Sequence, residues 1–314
     1  MEQRQTKRIK SISEFHKSRG LPRPEHPLIS VINYEDITRP ADIGEINWLL
    51  EFYMISLKNG IGGKMYYGQQ EFDFDNGLMA FMEPNQIFRI QPDPNSTEKR
   101  SGWMLLIHPD FLWNTSLSKN IKHYDYFDYS VSEALFLSDK EEQTLNTIID
   151  HIKQEYHANI DKFSKNIIVS HIEALLNYAE RFYHRQFLTR EKANHQILEQ
   201  LEDLLDTYFA QEITENGLPS VQFVAEKLNV SASYLGNLLR VLTGQNTQQY
   251  IHEKLIYVAK EKLSTTNLSI SEIAYGLGFE HSQAFSRLFK SKTSQSPVEF
   301  RSKFNYPPST ALTL

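Results

Sequence analysis

Residues Ile270–Lys290 read ISEIAYGLGFEHSQAFSRLFK. Ile270, Ile273, Ala274 and Leu277 recur at helical spacing, then Gly276-Leu277-Gly278-Phe279 interrupts the pattern. A second apolar stripe starts at once with Phe285, Leu288 and Phe289. This spacing predicts a helix, a tight turn and a second helix. Gln283, Ser286, Arg287 and Lys290 then fall on the face that the second stripe leaves outward, with His281 and Ser282 at its start.

The same pattern stands upstream. At an offset of 49, Val224-Ala225 falls on Ile273-Ala274, Leu228 on Leu277 and Val230 on Phe279. After one inserted residue the offset is 50. Leu235 then falls on Phe285, Leu238-Leu239 on Leu288-Phe289, Thr243 on Thr293 and Tyr250 on Phe300. The matched positions are nearly all apolar, so the two segments share one core geometry. Ala225 and Ala274 are small where two helices cross closely. Asn229 and Gly278 sit where a turn often demands positive φ. Ser231 is a good N-cap for the helix that follows.

One helix hairpin is a common core element, but two in tandem with matching cores make a paired helix-turn-helix. In that motif the second helix of each unit can enter the major groove. Between the units, Thr247–Leu263 reads as one helix burying Ile251, Leu255, Val258, Ala259 and Leu263. At about 1.5 Å per residue it spans roughly 25 Å, a strut suited to holding two reading helices about one DNA turn apart. The first reading helix leaves Ser233, Gly236, Asn237 and Arg240 outward. Gln pairs with adenine and Arg with guanine through two hydrogen bonds each, whereas Arg240 and Lys290 also suit phosphate. The second face is more cationic, and Gly236 weakens the first helix, so the second unit is expected to contribute more affinity.

These residues resemble the DNA-binding domain of the AraC/XylS family of transcription regulators. The resemblance lies in Ile273-Ala274, Leu277-Gly278-Phe279, Phe285–Lys290 and Ser296-Pro297-Val298-Glu299-Phe300-Arg301. Two departures stand out. Gly244 keeps the glycine usual after a reading helix while Ser294 replaces it, and an Arg often found near Leu255 is absent. The resemblance implies duplex DNA as partner, RNA polymerase as a further candidate, no cofactor and no enzymatic activity. It also implies a small cupin-like β-barrel ahead of the DNA-binding domain.

The rest of the chain is consistent with that plan. Its 314 residues are enough for two domains; they are 40% hydrophobic and 23% charged and contain no cysteine. No disulfide framework or cysteine metal site can form, which is compatible with the cytoplasm. No apolar run approaches a membrane span and the N-terminus lacks a signal-peptide core, so a cytoplasmic protein away from membranes is expected. The net charge of −6 hides an asymmetry of +4 over residues 220–314 and −10 over the remainder.

The expected fold is α+β and multidomain. Residues 1–26 read as a polar, flexible tail. Residues 27–137 read as an antiparallel, cupin-like barrel, with strand candidates at 48–57, 64–68, 78–82, 86–90 and 103–108. Residues 138–188 read as a helical segment for packing or dimerisation, opened by a capping box at Ser138–Glu141. Its stripe Ile168, Ile172, Leu175, Ala179 and Phe182 suits either this chain's own barrel or a second subunit. Residues 189–314 form the all-α DNA-binding domain, with units at about 220–244 and 269–294 joined by a long helix.

The chain has no His between His26 and His108, which disfavours a cupin metal site. It shows no Gly-rich phosphate loop, nucleophile motif or convincing carboxylate pair. A barrel can instead enclose a small effector. Trp48, Phe52, Tyr66, Phe81, Phe88 and Trp103 are candidate lining residues and Arg89 a polar anchor, though each also suits an ordinary core. Alternation puts Tyr53 opposite Trp48 and Phe52. The alternative is a barrel that serves only dimerisation or protein interaction.

Overall fold

The computed structural model describes residues 6–38, 47–59, 65–67, 70–72, 77–88, 101–129, 133–158, 161–189 and 191–304. The chain forms two compact units, Met1–Thr189 and Arg190–Leu314.

The first unit contains β1 (Thr6–Ile9), α1 (Ile12–Ser18), β2 (Ile29–Asn33), β3 (Asn47–Leu50), β4 (Tyr53–Asn59), β5 (Met65–Tyr67), β6 (Gln70–Phe72), β7 (Leu78–Met82), β8 (Ile87–Phe88) and β9 (Ser101–Ile107). Then come α2 (Pro109–Leu112), α3 (Leu117–Asn120), β10 (Leu135–Phe136), α4 (Asp139–His157) and α5 (Ser164–Thr189). Five strands form an antiparallel sheet in the order β10-β7-β4-β9-β2. A second sheet runs β1-β3-β8, and β5 pairs with β6.

Among the described residues these sheets do not close into the expected barrel, and β2 and β10 remain edges of the main sheet. Short alternating strands look alike in open and closed sheets, because closure depends on which edges meet. The run 48–57 is likewise two strands rather than one. It turns at Glu51-Phe52, where Glu51 N–H donates to the Ile9 carbonyl at 3.0 Å, and β3 and β4 join different sheets. Phe52 is fully buried at this corner, with its ring edge-on to Phe15. Glu51 is a single charge inside the otherwise apolar run WLLEFYMISL, too little to mark a turn by itself.

Residues 6–26 are not a flexible tail. β1 pairs in parallel with β3, and Ile9, Ile12 and Phe15 are at most 2% exposed. Ser11 caps α1 by accepting from Glu14 N–H at 3.2 Å. His16 is buried between the Pro22 carbonyl and the Ser30 hydroxyl. Ile9, Ile12, Phe15 and Leu21 are too few in a polar stretch to mark elements, and their long-range docking orders the segment.

The main sheet has two buried faces. Met54 lies opposite both Met82 and Leu106, and Ser56 opposite Met104, so these side chains share one face. That face contributes to a core with Phe15, Trp48 and Phe52. The other face meets the helices. Trp103 donates its indole N–H to Asn146 of α4 at 2.8 Å, and the Phe81 ring meets Tyr183 of α5. The Glu141 carboxylate accepts from Ser138 N–H at 2.9 Å, completing the expected box at the start of α4. Ile168, Ile172, Leu175, Ala179 and Phe182 are all buried within this unit, where α5 packs on α4 and β10. The α5 stripe is therefore covered within this chain, and Ile167 and Tyr178 stay exposed on the same helix.

The second unit is all helical: α6 (Glu191–Gln211), α7 (Ile213–Asn216), α8 (Val221–Lys227), α9 (Ala232–Thr243), α10 (Thr247–Thr265), α11 (Ile270–Gly276), α12 (Ser282–Thr293) and α13 (Pro297–Ser302). α10 is the hub and touches α6, α9, α11, α12 and α13. Leu235, Leu239, Leu255, Ala259, Phe285 and Phe289 are fully buried in one core that also takes in Leu201 and Leu205 of α6. Lys254 of α10 pairs with Asp206 of α6.

Candidate nucleic-acid interface

The two helix-turn-helix units repeat at the level of single backbone hydrogen bonds. In the first turn, Leu228 N–H donates to Val224, Asn229 to Glu226 and Val230 to Ala225, at 3.0–3.1 Å. In the second, Leu277 donates to Ile273, Gly278 to Tyr275 and Phe279 to Ala274, all at 3.0 Å. Asn229 has φ 56° and Gly278 φ 75°, so both turns use the left-handed region as expected. Gly278 has a second reason to lack a side chain. A Cβ there would lie 2.4 Å from the Ile213 carbonyl and 2.7 Å from Gly217 Cα, so the turn rests directly on the backbone after α7.

The match continues past each reading helix. Gly244 closes α9 at φ 75° and Ser294 closes α12 at φ 62°. The Thr243 and Thr293 hydroxyls donate to the carbonyls four residues back, both at 2.8 Å. Asn246 with Gln249, and Ser296 with Glu299, form capping boxes on α10 and α13. Hydrogen bonds from Ser296 hold the Glu299 carboxyl below its ordinary range, as Ser269 does for Glu272 at α11.

On this duplicated frame the outward faces differ. On α12, Gln283, Arg287 and Lys290 are exposed, as is His281 at the N-cap, and Ser282 and Ser286 are half-buried. The Ser286 hydroxyl donates to the Ser282 carbonyl at 2.9 Å. On α9, Arg240 is exposed while Ser233 and Asn237 are half-buried. Arg240 donates to the Asn237 side-chain oxygen at 2.6 Å, so these two groups hold each other. Lys292 is a third exposed cation on α12 that sequence reasoning passed over. Its signal was legible, since cations favour the last turn of a helix.

The candidate effector residues whose side chains are described do not converge. Trp48 and Phe52 share the core with Phe15. Phe81 lies on the opposite sheet face among Tyr126, Phe127 and Tyr183. Trp103 borders an open polar cleft of about 390 Å³ with Asn33, Asn146 and Lys153, groups already hydrogen-bonded in pairs. Arg89 lies outside the described residues, as do the side chains of Tyr66 and Phe88. Among the described residues no three His, Asp or Glu side chains group to hold a metal.

A family described as a helix-turn-helix domain matches residues 224–303. Regulatory protein SoxS of Escherichia coli is 33% identical over 82 residues, covering 26% of this chain and 77% of that protein. HTH-type transcriptional activator RhaS of Enterobacter sp. is 35% identical over 104 residues, which are 33% of this chain and 35% of that protein. Among solved structures, the C-terminal domain of the two-component response regulator yesN from Fusobacterium nucleatum is 29% identical with a TM-score of 0.28. It covers 32% of this chain and 96% of that one.

Proposed function

The chain belongs to the AraC/XylS family of transcription regulators, and from that premise we propose that α9 and α12 read successive major grooves on one side of a duplex. The observation that carries this is the duplication itself. Two turns with the same hydrogen bonds present two helices with different outward residues. The nineteen residues of α10 give a strut of about 28 Å at 1.5 Å each, close to one DNA turn of roughly 34 Å.

In this reading Gln283 and Arg287 contact base edges, with adenine and guanine as their natural partners. Lys290 and Arg240 neutralise phosphates, and His281, Ser282, Ser286, Ser233 and Asn237 fill in around them. α12 contributes more than α9. It carries more free charge, while Arg240 is engaged with Asn237. Arg287→Ala is expected to cost about 1–3 kcal/mol of operator binding and to relax preference at one base pair. A footprinting titration comparing Arg287→Ala with Arg240→Ala tests the ranking; a larger loss from Arg240→Ala reverses it.

We further propose that a small molecule bound in the N-terminal unit controls how the protein engages its operator. A ligand acts only by favouring one arrangement over another, so operator affinity measured with and without a bound compound reads this directly. Unchanged affinity for every compound that binds leaves the N-terminal unit as an interaction module. In that case two chains would pair through α5 residues that stay exposed, such as Ile167 and Tyr178, and RNA polymerase remains a further candidate partner.

A further inference from the structure

In the N-terminal unit α4 packs against α5, and each helix brings a histidine to the same place. The rings of His151 on α4 and His171 on α5 stand 5.2 Å apart, centre to centre, with their planes at 43°. His16, His26, His108 and His157 of this unit each take part in a hydrogen bond with a protein group. Among the described residues no such bond engages His151 or His171. Burial does not explain the pair either, because His151 is exposed and His171 is half-buried. Two imidazoles this close repel each other when both are protonated, so the arrangement favours neutral rings with free lone pairs. Burial, helped by His151, holds His171 below its ordinary value, in keeping with that state.

Neutral imidazole is a ligand for divalent transition ions. A tetrahedral ion about 2.1 Å from one nitrogen of each ring holds the ring centres roughly 5–5.5 Å apart. The observed separation lies inside that window, with both histidines on regular helices. Glu155 follows His151 by four residues and so shares its face of α4, and its negative charge acts on His171. A carboxylate at that place favours a cation between the helices. We propose that His151 and His171 form a two-histidine clamp for one divalent transition ion, with water completing the coordination. The ligand type selects Zn²⁺ or Ni²⁺ over Mg²⁺, which prefers oxygen. The two helices that the ion ties both lie on the main sheet, α4 through Asn146 at Trp103 and α5 through Tyr183 at Phe81. An ion held by both helices binds the folded chain and stabilises it by mass action.

Calorimetric titration of the full chain with Zn²⁺, Ni²⁺ and Mg²⁺ at pH 7.5 tests this, together with melting curves with and without each ion. One Zn²⁺ or Ni²⁺ binds per chain and raises the melting temperature, and Mg²⁺ does neither. His151→Gln and His171→Gln each weaken that binding at least about tenfold, since either one leaves a single imidazole. The melting temperature of each variant then no longer responds to the ion. This readout separates a ligand from a merely structural histidine, whose loss shifts the melting temperature equally with and without metal. His184→Gln, at an exposed histidine of α5 outside the pair, keeps the parent's affinity. His151 is exposed, so His151→Gln remains informative if His171→Gln fails to fold. No binding of Zn²⁺ or Ni²⁺, binding that survives His151→Gln, or an equal loss in His184→Gln overturns the proposal.

Discussion

Ser294 closes α12 at φ 62°, the position that Gly244 takes with φ 75° after α9. A side chain in the left-handed region is strained, and glycine is not. Ser294→Gly is therefore expected to stabilise the protein by about 0.5–1 kcal/mol, read as a rise in the urea midpoint at constant slope. Gly244→Ser should cost a similar amount, since a Cβ there meets nothing within 4 Å and the penalty is conformational alone. Gly278 differs, because its Cβ would strike the Ile213 carbonyl. Gly278→Ala is expected to cost about 2–3 kcal/mol, or to shift the second turn and weaken DNA binding through α12. A variant as stable as the parent contradicts that close contact. The positive φ at Asn229 and Gly278 was legible from residue type and spacing. The approach of Gly217 to Gly278 was not, since it joins turns distant in sequence.

At the scale of elements, the reading helices were legible because helical period, turn residue and cap all agreed, and because the pattern occurred twice. The caps of α11 and α13 define a further expectation. The Ser269 and Ser296 hydroxyls accept from Glu272 and Glu299 N–H, and those carboxylates accept in turn from the Ser269 and Ser296 N–H groups. Ser269→Ala and Ser296→Ala are each expected to destabilise by about 1 kcal/mol in chemical unfolding. An effect below a few tenths would mean that core packing alone holds these helices. The N-terminal elements were harder to read. β3 and β4 ran together because Glu51 alone does not break an otherwise apolar run, and β1 and α1 passed for a tail because their few apolar residues pack on distant strands. The stripe of α5 was visible, but periodicity could not say whether its cover came from this chain or another; here it is α4 and β10.

At the scale of the whole molecule, charge is uneven, with +4 over residues 220–314 beside −10 over the remainder, a split that takes on meaning only beside the duplicated helix-turn-helix. Titration adds an expectation. Burial lowers the values of His26, His171 and His252, the last two helped by His151 and by Lys292 respectively. The unfolded chain then takes up protons first as pH falls below about 6.5, so the folded state loses stability on that side. The melting temperature should be lower at pH 5.5 than at 7.5, and His252→Gln should flatten the difference; a steeper dependence in the variant would contradict this assignment. The central claim concerns the pair of readers. A duplex selected by the full chain from a random pool, then mapped by hydroxyl-radical footprinting, tests it most directly. The account predicts two protected patches about 10 base pairs apart on one face, with Arg287→Ala erasing one and leaving the other. A single patch, or patches on opposite faces, would contradict it.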